Sequence, residues 1–312
     1  MSRQTPVSHP FFSDRRAVVL LASFCCLLWG SAYPAIKSGY LLFDIAADDI
    51  PAKMLFAGYR FLLAGLLLLA PALFTTRRNV FILNRRNLLS VSLLGLTQTS
   101  LQYVFFYIGL AYTTGVKSSI MNATGTFFSV LMAHCIYRND RLNFSKIGGC
   151  LIGFAGVTAA NFSPDLLDFD FTLLGEGFVV IAAFILSAAT IYGKKLSQTM
   201  DSVVLTGYQL GIGGLILLAT GYACGGRLSG FTPESTALLV YMAVLSSASF
   251  ALWTVLLKYN RVSLVTMFNF LIPIFGAILS AIFLGENIFE WKNAVALMLV
   301  AGGICLVSRE RQ

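Results

Sequence analysis

The chain has 312 residues, of which 57% are hydrophobic and 12% charged, and it carries a net charge of +8. Water-soluble domains carry about a quarter charged residues, so this chain has too few to cover a soluble surface, and its mean hydropathy of +0.78 points to lipid as the solvent. The basic excess falls in short clusters between apolar runs, a distribution that fits membrane-flanking loops and excludes a nucleic-acid partner.

A transmembrane helix needs roughly 20 apolar residues, and ten runs qualify in chain order. A tail of residues 1–16 carries Arg3, Arg15 and Arg16. The first run, Ala17–Ile36, holds Trp29 and Tyr33; it is long enough to span and has no clear cleavage site, so it reads as a retained helix and not a signal peptide. Met54–Phe74 follows, with Tyr59 and Arg60, and then the cluster Arg77, Arg78, Arg85 and Arg86. Leu88–Tyr112 contains Gln98, Gln102 and Tyr103. Ser118–Tyr137 contains Asn122 and His134, and Arg138, Arg141 and Lys146 come after it. Ile147–Asn161 is short, and the acidic stretch Asp165, Asp168 and Asp170 succeeds it. Phe171–Tyr192 carries Glu176 and precedes Lys194 and Lys195. Val203–Ala223 carries Tyr208 and Gln209. Ser235–Leu257 carries Trp253 and ends before Lys258 and Arg261. Val262–Leu284 carries Asn269 and leads to Glu286, and Asn293–Ser308 closes the series before Arg309 and Arg311.

The named clusters place sixteen of the 22 basic residues on one side, against Lys37, Lys53, Lys117, Arg227 and Lys292 on the other and Arg60 inside a span. The positive-inside rule then expects both termini in the cytoplasm. Reporter fusions at Arg78 and Asp168 are expected to report opposite sides of the membrane. The same side for both would refute the ten-span map.

The halves repeat. "FAGYRFLLAGLLLL" at Phe56–Leu69 matches "LTGYQLGIGGLILL" at Leu205–Leu218. Further on, a shift of about 147 residues lays Tyr112 on Tyr259, Asn122 on Asn269, and Ala155 and Gly156 on Gly302 and Gly303. Five spans per half is an odd number, so the second half enters the membrane from the opposite face. The expected fold is all-α and integral to the membrane: ten transmembrane helices as two inverted five-helix repeats, 17–162 and 171–308, an arrangement common in secondary transporters.

Four motifs resemble the drug/metabolite transporter superfamily, specifically its EamA-type ten-helix transporters. They are "LLWGSAYPAIK" in the first span, "GYRFLLAG" in the second, "NFLIPIFGAILSAIFLGENI" ending the ninth, and "VALMLVAGGICLV" in the tenth. The resemblance covers about residues 17–308. It implies transport of a small molecule, with a bias towards export. The first half departs from the pattern: Thr126 stands where the register matches Pro273, and Asn139 stands opposite Glu286 with Asp140 one place on. The fourth helix should therefore bend less than the ninth.

Polar groups in hydrocarbon need a partner or a cavity. Arg60 is the only charged residue well inside a span and is the candidate grip for an anionic substrate group; Gln209 matches it in the other half. Trp29, Tyr59, Tyr208 and Trp253 offer large faces with polar tips, while Gln98, Gln102, Asn122 and Asn269 offer amides; these complete the candidate substrate site. No metal site and no cofactor are expected. The six cysteines lie in or beside apolar runs without metal spacing, and no phosphate-cradling loop is present. The expected function is export of a small polar metabolite, such as an amino acid, across a bacterial inner membrane, with lipid and substrate as partners. A lipid-modifying enzyme is the alternative, but there is no H-E-x-x-H or G-x-S-x-G motif and the histidines are only His9 and His134. A membrane scaffold is a third, and it lacks any soluble domain to dock a partner.

Overall fold

A computed structural model of the chain describes residues 9–75, 84–162, 171–284 and 291–308. Among these residues the only regular secondary structure is helix. After a single helical turn at Pro10–Ser13 come α1 (Arg15–Leu42), α2 (Ile50–Thr75), α3 (85–111), α4 (Gly115–Ile136) and α5 (Phe144–Ala160). The second half supplies α6 (Leu173–Ser197), α7 (Ser202–Ala223), α8 (Pro233–Tyr259), α9 (262–284) and α10 (Trp291–Ser308). Seven of these are long and apolar enough to cross a membrane, while Phe144–Ala160 and Ala294–Ser308 are shorter apolar helices.

Local sequence sets the helix starts. Asp14 accepts hydrogen bonds from the backbone N–H of Arg16 and Ala17 at 3.0 Å each, opening α1. Asp201 does the same for Val203 and Val204 at α7. Thr232 and Ser235 form a reciprocal capping box at α8, with Pro233 in the first turn, where its missing N–H costs nothing. These caps satisfy N–H groups that have no partner within the helix.

The inverted repeat is visible in the packing. If each helix of the first half is exchanged with its counterpart five places on, the principal contacts map onto themselves. α1 packs on α9 as α6 packs on α4, α1 packs on α8 as α6 packs on α3, and α2 packs on α8 as α7 packs on α3. The pairs α2–α7 and α5–α10 are each their own counterparts and so lie at the pseudo-two-fold axis.

Glycine brings the backbones together at both axial seams. A Cβ on Gly65 of α2 would stand 2.5 Å from the backbone N of Gly211 and 2.7 Å from the Gly207 carbonyl oxygen. Its counterpart Gly214 would meet Leu62 N at 2.5 Å. In the other seam a Cβ on Gly303 would lie 2.6 Å from the Gly149 carbonyl oxygen. Without a hydrophobic drive between helices in lipid, such close backbone approach is what holds them.

The helices depart from regularity where the halves differ. α9 passes through a 3₁₀ turn, Met267–Phe270, just before Pro273, whose ring nitrogen cannot donate back into the helix. α4, with Thr126 at the corresponding place, runs as one α-helix. Nothing in the sequence reading anticipated the two π-helical segments, Gly95–Leu101 within α3 and Leu173–Gly177 at the start of α6. The first helix also runs on to Leu42, six residues beyond the apolar run that marks it, because Lys37 and Ser38 interrupt the hydropathy without breaking the helix.

Candidate functional site

The two halves build one polar contact twice. Arg60 of α2 donates from Nε to the Ser246 hydroxyl on α8 at 2.6 Å. Gln209 of α7 donates from Nε2 to the Thr99 hydroxyl on α3 at 2.9 Å. Arg60 and Gln209 occupy the same place in the repeated motif, and Ser246 stands 147 residues after Thr99. All four side chains are buried. Burial of polar groups in an apolar bundle requires such pairing. One half therefore fills the position with a charge and the other with a neutral amide.

Arg60 has donors to spare. A guanidinium carries five N–H groups. Here Nε takes Ser246, and the group stands over the Phe61 ring, 5.0 Å from its centroid. Among the described residues no carboxylate pairs with it.

Aromatic rings continue from this point through the bundle. Phe61 packs edge-on against Tyr103 at 4.8 Å and against Phe250 at 6.1 Å. Phe250 meets Trp29 at 5.3 Å, and Trp29 meets Trp253 at 5.0 Å. The indole Nε1 of Trp29 is buried without a hydrogen-bond partner, and so is Oδ1 of Asn122 on α4. Tyr33, one turn beyond Trp29 on α1, packs its ring against Gly276 of α9 and is 38% exposed.

Beyond Trp253 lies a narrow cavity between α3, α6, α7 and α8. Gln98, Thr190, Lys194, Gln209, Trp253 and Thr254 are among the residues that line it. The π segment of α3 shapes this cavity. Its wide turn carries Gln98 and Thr99, and Gly95 and Gly213 let α3 and α7 approach so closely that a Cβ on Gly213 would meet Thr99 Cβ at 2.4 Å. Lys194 donates to the carbonyls of Leu257 and Asn260 at the end of α8, the latter at 2.5 Å.

The predicted site residues divide accordingly. Arg60 and Trp29 lie along the same row of aromatic rings, joined through Phe61 and Phe250, and Gln98, Gln209 and Trp253 meet at the cavity. Gln102 is buried one turn along from Gln98. Asn122 and Asn269 are half-buried on α4 and in the 3₁₀ turn of α9. Two residues stand apart from the rest. Tyr59 bonds hydroxyl to hydroxyl with Tyr222 at 2.6 Å and packs on Phe231, because its neighbour Arg60 takes the inward direction. Tyr208 packs with Val91, Leu94 and Leu205. Thr190, Lys194 and Thr254 line the cavity without a signal in the sequence; Lys194 reads there as a loop cation, although helix α6 continues past it to Ser197. His134 is engaged, its Nδ1 accepting from Leu142 N at 3.0 Å. Glu286 lies outside the described residues.

The chain matches the EamA-like transporter family over residues 16–162 and 173–309. A protein of Archaeoglobus fulgidus named "uncharacterized transporter" is 27% identical over 94% of this chain and 98% of its own length. The Bacillus subtilis "uncharacterized transporter YvbV" is 28% identical over 93% and 90% respectively. A solved crystal structure shares the fold at a TM-score of 0.76, covering 96% of this chain and 100% of its own, with 17% sequence identity.

Proposed function

Because the chain belongs to the EamA-like transporter family, we propose that it is a secondary transporter that exports a small polar metabolite, such as an amino acid, by alternating access. The reading places it in a bacterial inner membrane with both termini in the cytoplasm. The observation that carries it is the doubled contact, Arg60–Ser246 and Gln209–Thr99, set among aromatic rings and beside a cavity at the meeting of the two halves. An unpaired cation in that position favours a substrate with an anionic group, and Gln98, Gln209 and the Trp29 indole supply the neutral bonds for the remainder of a zwitterion. Comparing metabolites in the medium of overexpressing and deleted cells tests the export reading. A carrier of this kind enriches a small set of polar solutes outside overexpressing cells, and identical media would sink the proposal.

Proton coupling needs an ionisable group in the pathway whose protonation changes during transport. Glu176 is the candidate coupling acid that lies among the described residues, and its carboxylate is engaged. It accepts from Thr113 Oγ1 at 2.5 Å, from Thr172 N at 2.9 Å and from Thr172 Oγ1 at 3.1 Å, capping the start of α6. The expected mechanism is therefore facilitated export or solute exchange. In liposomes, counterflow of labelled substrate should persist without a pH gradient or membrane potential. Uphill accumulation driven by a pH gradient alone, and lost in Glu176→Gln, would name Glu176 as the coupling residue instead.

A further inference from the structure

At the end of the bundle away from Tyr33, the two halves are tied together around a single carboxylate. Asp140 lies in the turn between α4 and α5 and is 1% exposed. Its Oδ1 accepts from Lys146 Nζ at 2.7 Å, and its Oδ2 accepts from the backbone N–H of Ser263 at 2.9 Å. The Ser263 hydroxyl donates to the same carboxylate. Ser263 sits in the first turn of α9, so an acid from the first half caps a helix of the second, where unpaired N–H groups and the helix dipole both favour a negative charge. Lys146, in the first turn of α5, spends a second bond on the Arg141 carbonyl at 2.7 Å. Beside this group Tyr137 lies under the Lys194 ammonium and donates to the Ile191 carbonyl, which joins α6 to the same closure.

A buried ion pair is poor evidence for stability, because desolvation offsets much of the attraction; its better-attested use is to specify one arrangement over another. The burial at this end fits the closed arrangement. Asp140, Lys146 and Ser263 are shut away from solvent, and Trp253 beyond them is 5% exposed; Tyr33, nearer the other end of α1, is 38% exposed. An exchange of shape between the halves that moves the α4–α5 turn relative to the start of α9 must break the bonds that Asp140 makes to Ser263.

We propose that Asp140 is the latch that holds this face of the bundle closed by gripping the first turn of α9, and that its release is the step that opens the cavity at Thr254. The proposal rests on the carrier reading above. It is tested on purified full-length protein in detergent, where both faces meet solvent, by the alkylation rates of single introduced cysteines at Thr254 and Tyr33. Each rate is measured against the same variant without the introduced cysteine. Asp140→Asn keeps the shape and loses the charge; Ser263→Ala keeps the ion pair and loses one bond to α9, and serves if the first variant folds poorly. The expected result is reciprocal: labelling at Thr254 rises by about tenfold, as for a minor state lifted from the per-cent range, while labelling at Tyr33 falls. Unchanged rates at both positions would make Asp140 a static cap, and rates rising at both would mean general loosening; either overturns the latch. Labelling needs no substrate, so a wild-type protein that fails to transport would count against the carrier reading and leave the latch to be judged by the cysteines alone.

Discussion

Replacing Gly65 by leucine is expected to leave little folded protein. The added Cβ alone would enter the space of the Gly211 backbone N at 2.5 Å and the Gly207 carbonyl at 2.7 Å, and backbone cannot turn aside as a flexible side chain can. Overpacking a filled interior costs about 1–3 kcal/mol and sometimes more. At Gly65 the insertion also drives apart α2 and α7, the pair on the pseudo-two-fold axis, so every contact along that seam is lost together. Size-exclusion profiles of detergent extracts check this: a collapsed or aggregated peak for Gly65→Leu is expected, with Gly65→Ala in between. Gly211→Ala and Gly302→Ala are the controls, since a Cβ at either position meets nothing within 4 Å. A sharp wild-type peak for Gly65→Leu would show that the seam opens freely.

The second large effect is functional. Arg60→Gln is expected to fold and to lose most transport. The other half of the chain shows why it should fold: at the matching place a glutamine, Gln209, already bonds the hydroxyl that corresponds to Ser246. The substitution thus copies a contact that the protein makes elsewhere, and removes only the charge and the spare donors. A hydrogen bond to a charged group is worth about 1.5–3 kcal/mol, so losing one to substrate should slow counterflow by roughly tenfold to a hundredfold. Arg60→Lys should fall between, because a point charge replaces a planar fork. Unaltered counterflow in a well-folded Arg60→Gln protein would reduce Arg60 to a structural partner of Ser246.

Much of the architecture is legible from the sequence because lipid imposes a simple rule: long apolar runs must be helices. The repeat is legible for a related reason, since small and polar residues are rare in such runs and their spacing stands out. The register of the repeat pairs Arg60 with Gln209, and the structure gives them equivalent partners. What the sequence does not carry is helix direction around the axis. Tyr59 and Arg60 are adjacent in the motif, yet they point roughly 100° apart on a helix of 3.6 residues per turn. Tyr59 turns towards Tyr222 and Arg60 inward. Asp140 was noted only as an acid one place off the repeat register. Its grip on Ser263 spans 123 residues and depends on how α4 and α9 end beside each other, which no local pattern encodes. Lys194 was misassigned for a similar reason: positive charge reads as loop, even where the helix continues.

The wide turn at Gly95–Leu101 sets the two halves out of phase. A turn that holds an extra residue rotates everything beyond it by roughly 100°. α3 therefore presents its two ends on different faces, while α8, its counterpart, stays α-helical from Pro233 to Tyr259. If the halves trade shapes during transport, the slip must leave α3 and arise in α8 over the corresponding residues 242–248. A migrating slip re-registers a handful of backbone hydrogen bonds. Ser246 lies inside the stretch that would rotate, so the same motion that turns α8 would withdraw the hydroxyl from Arg60 and free its Nε–H.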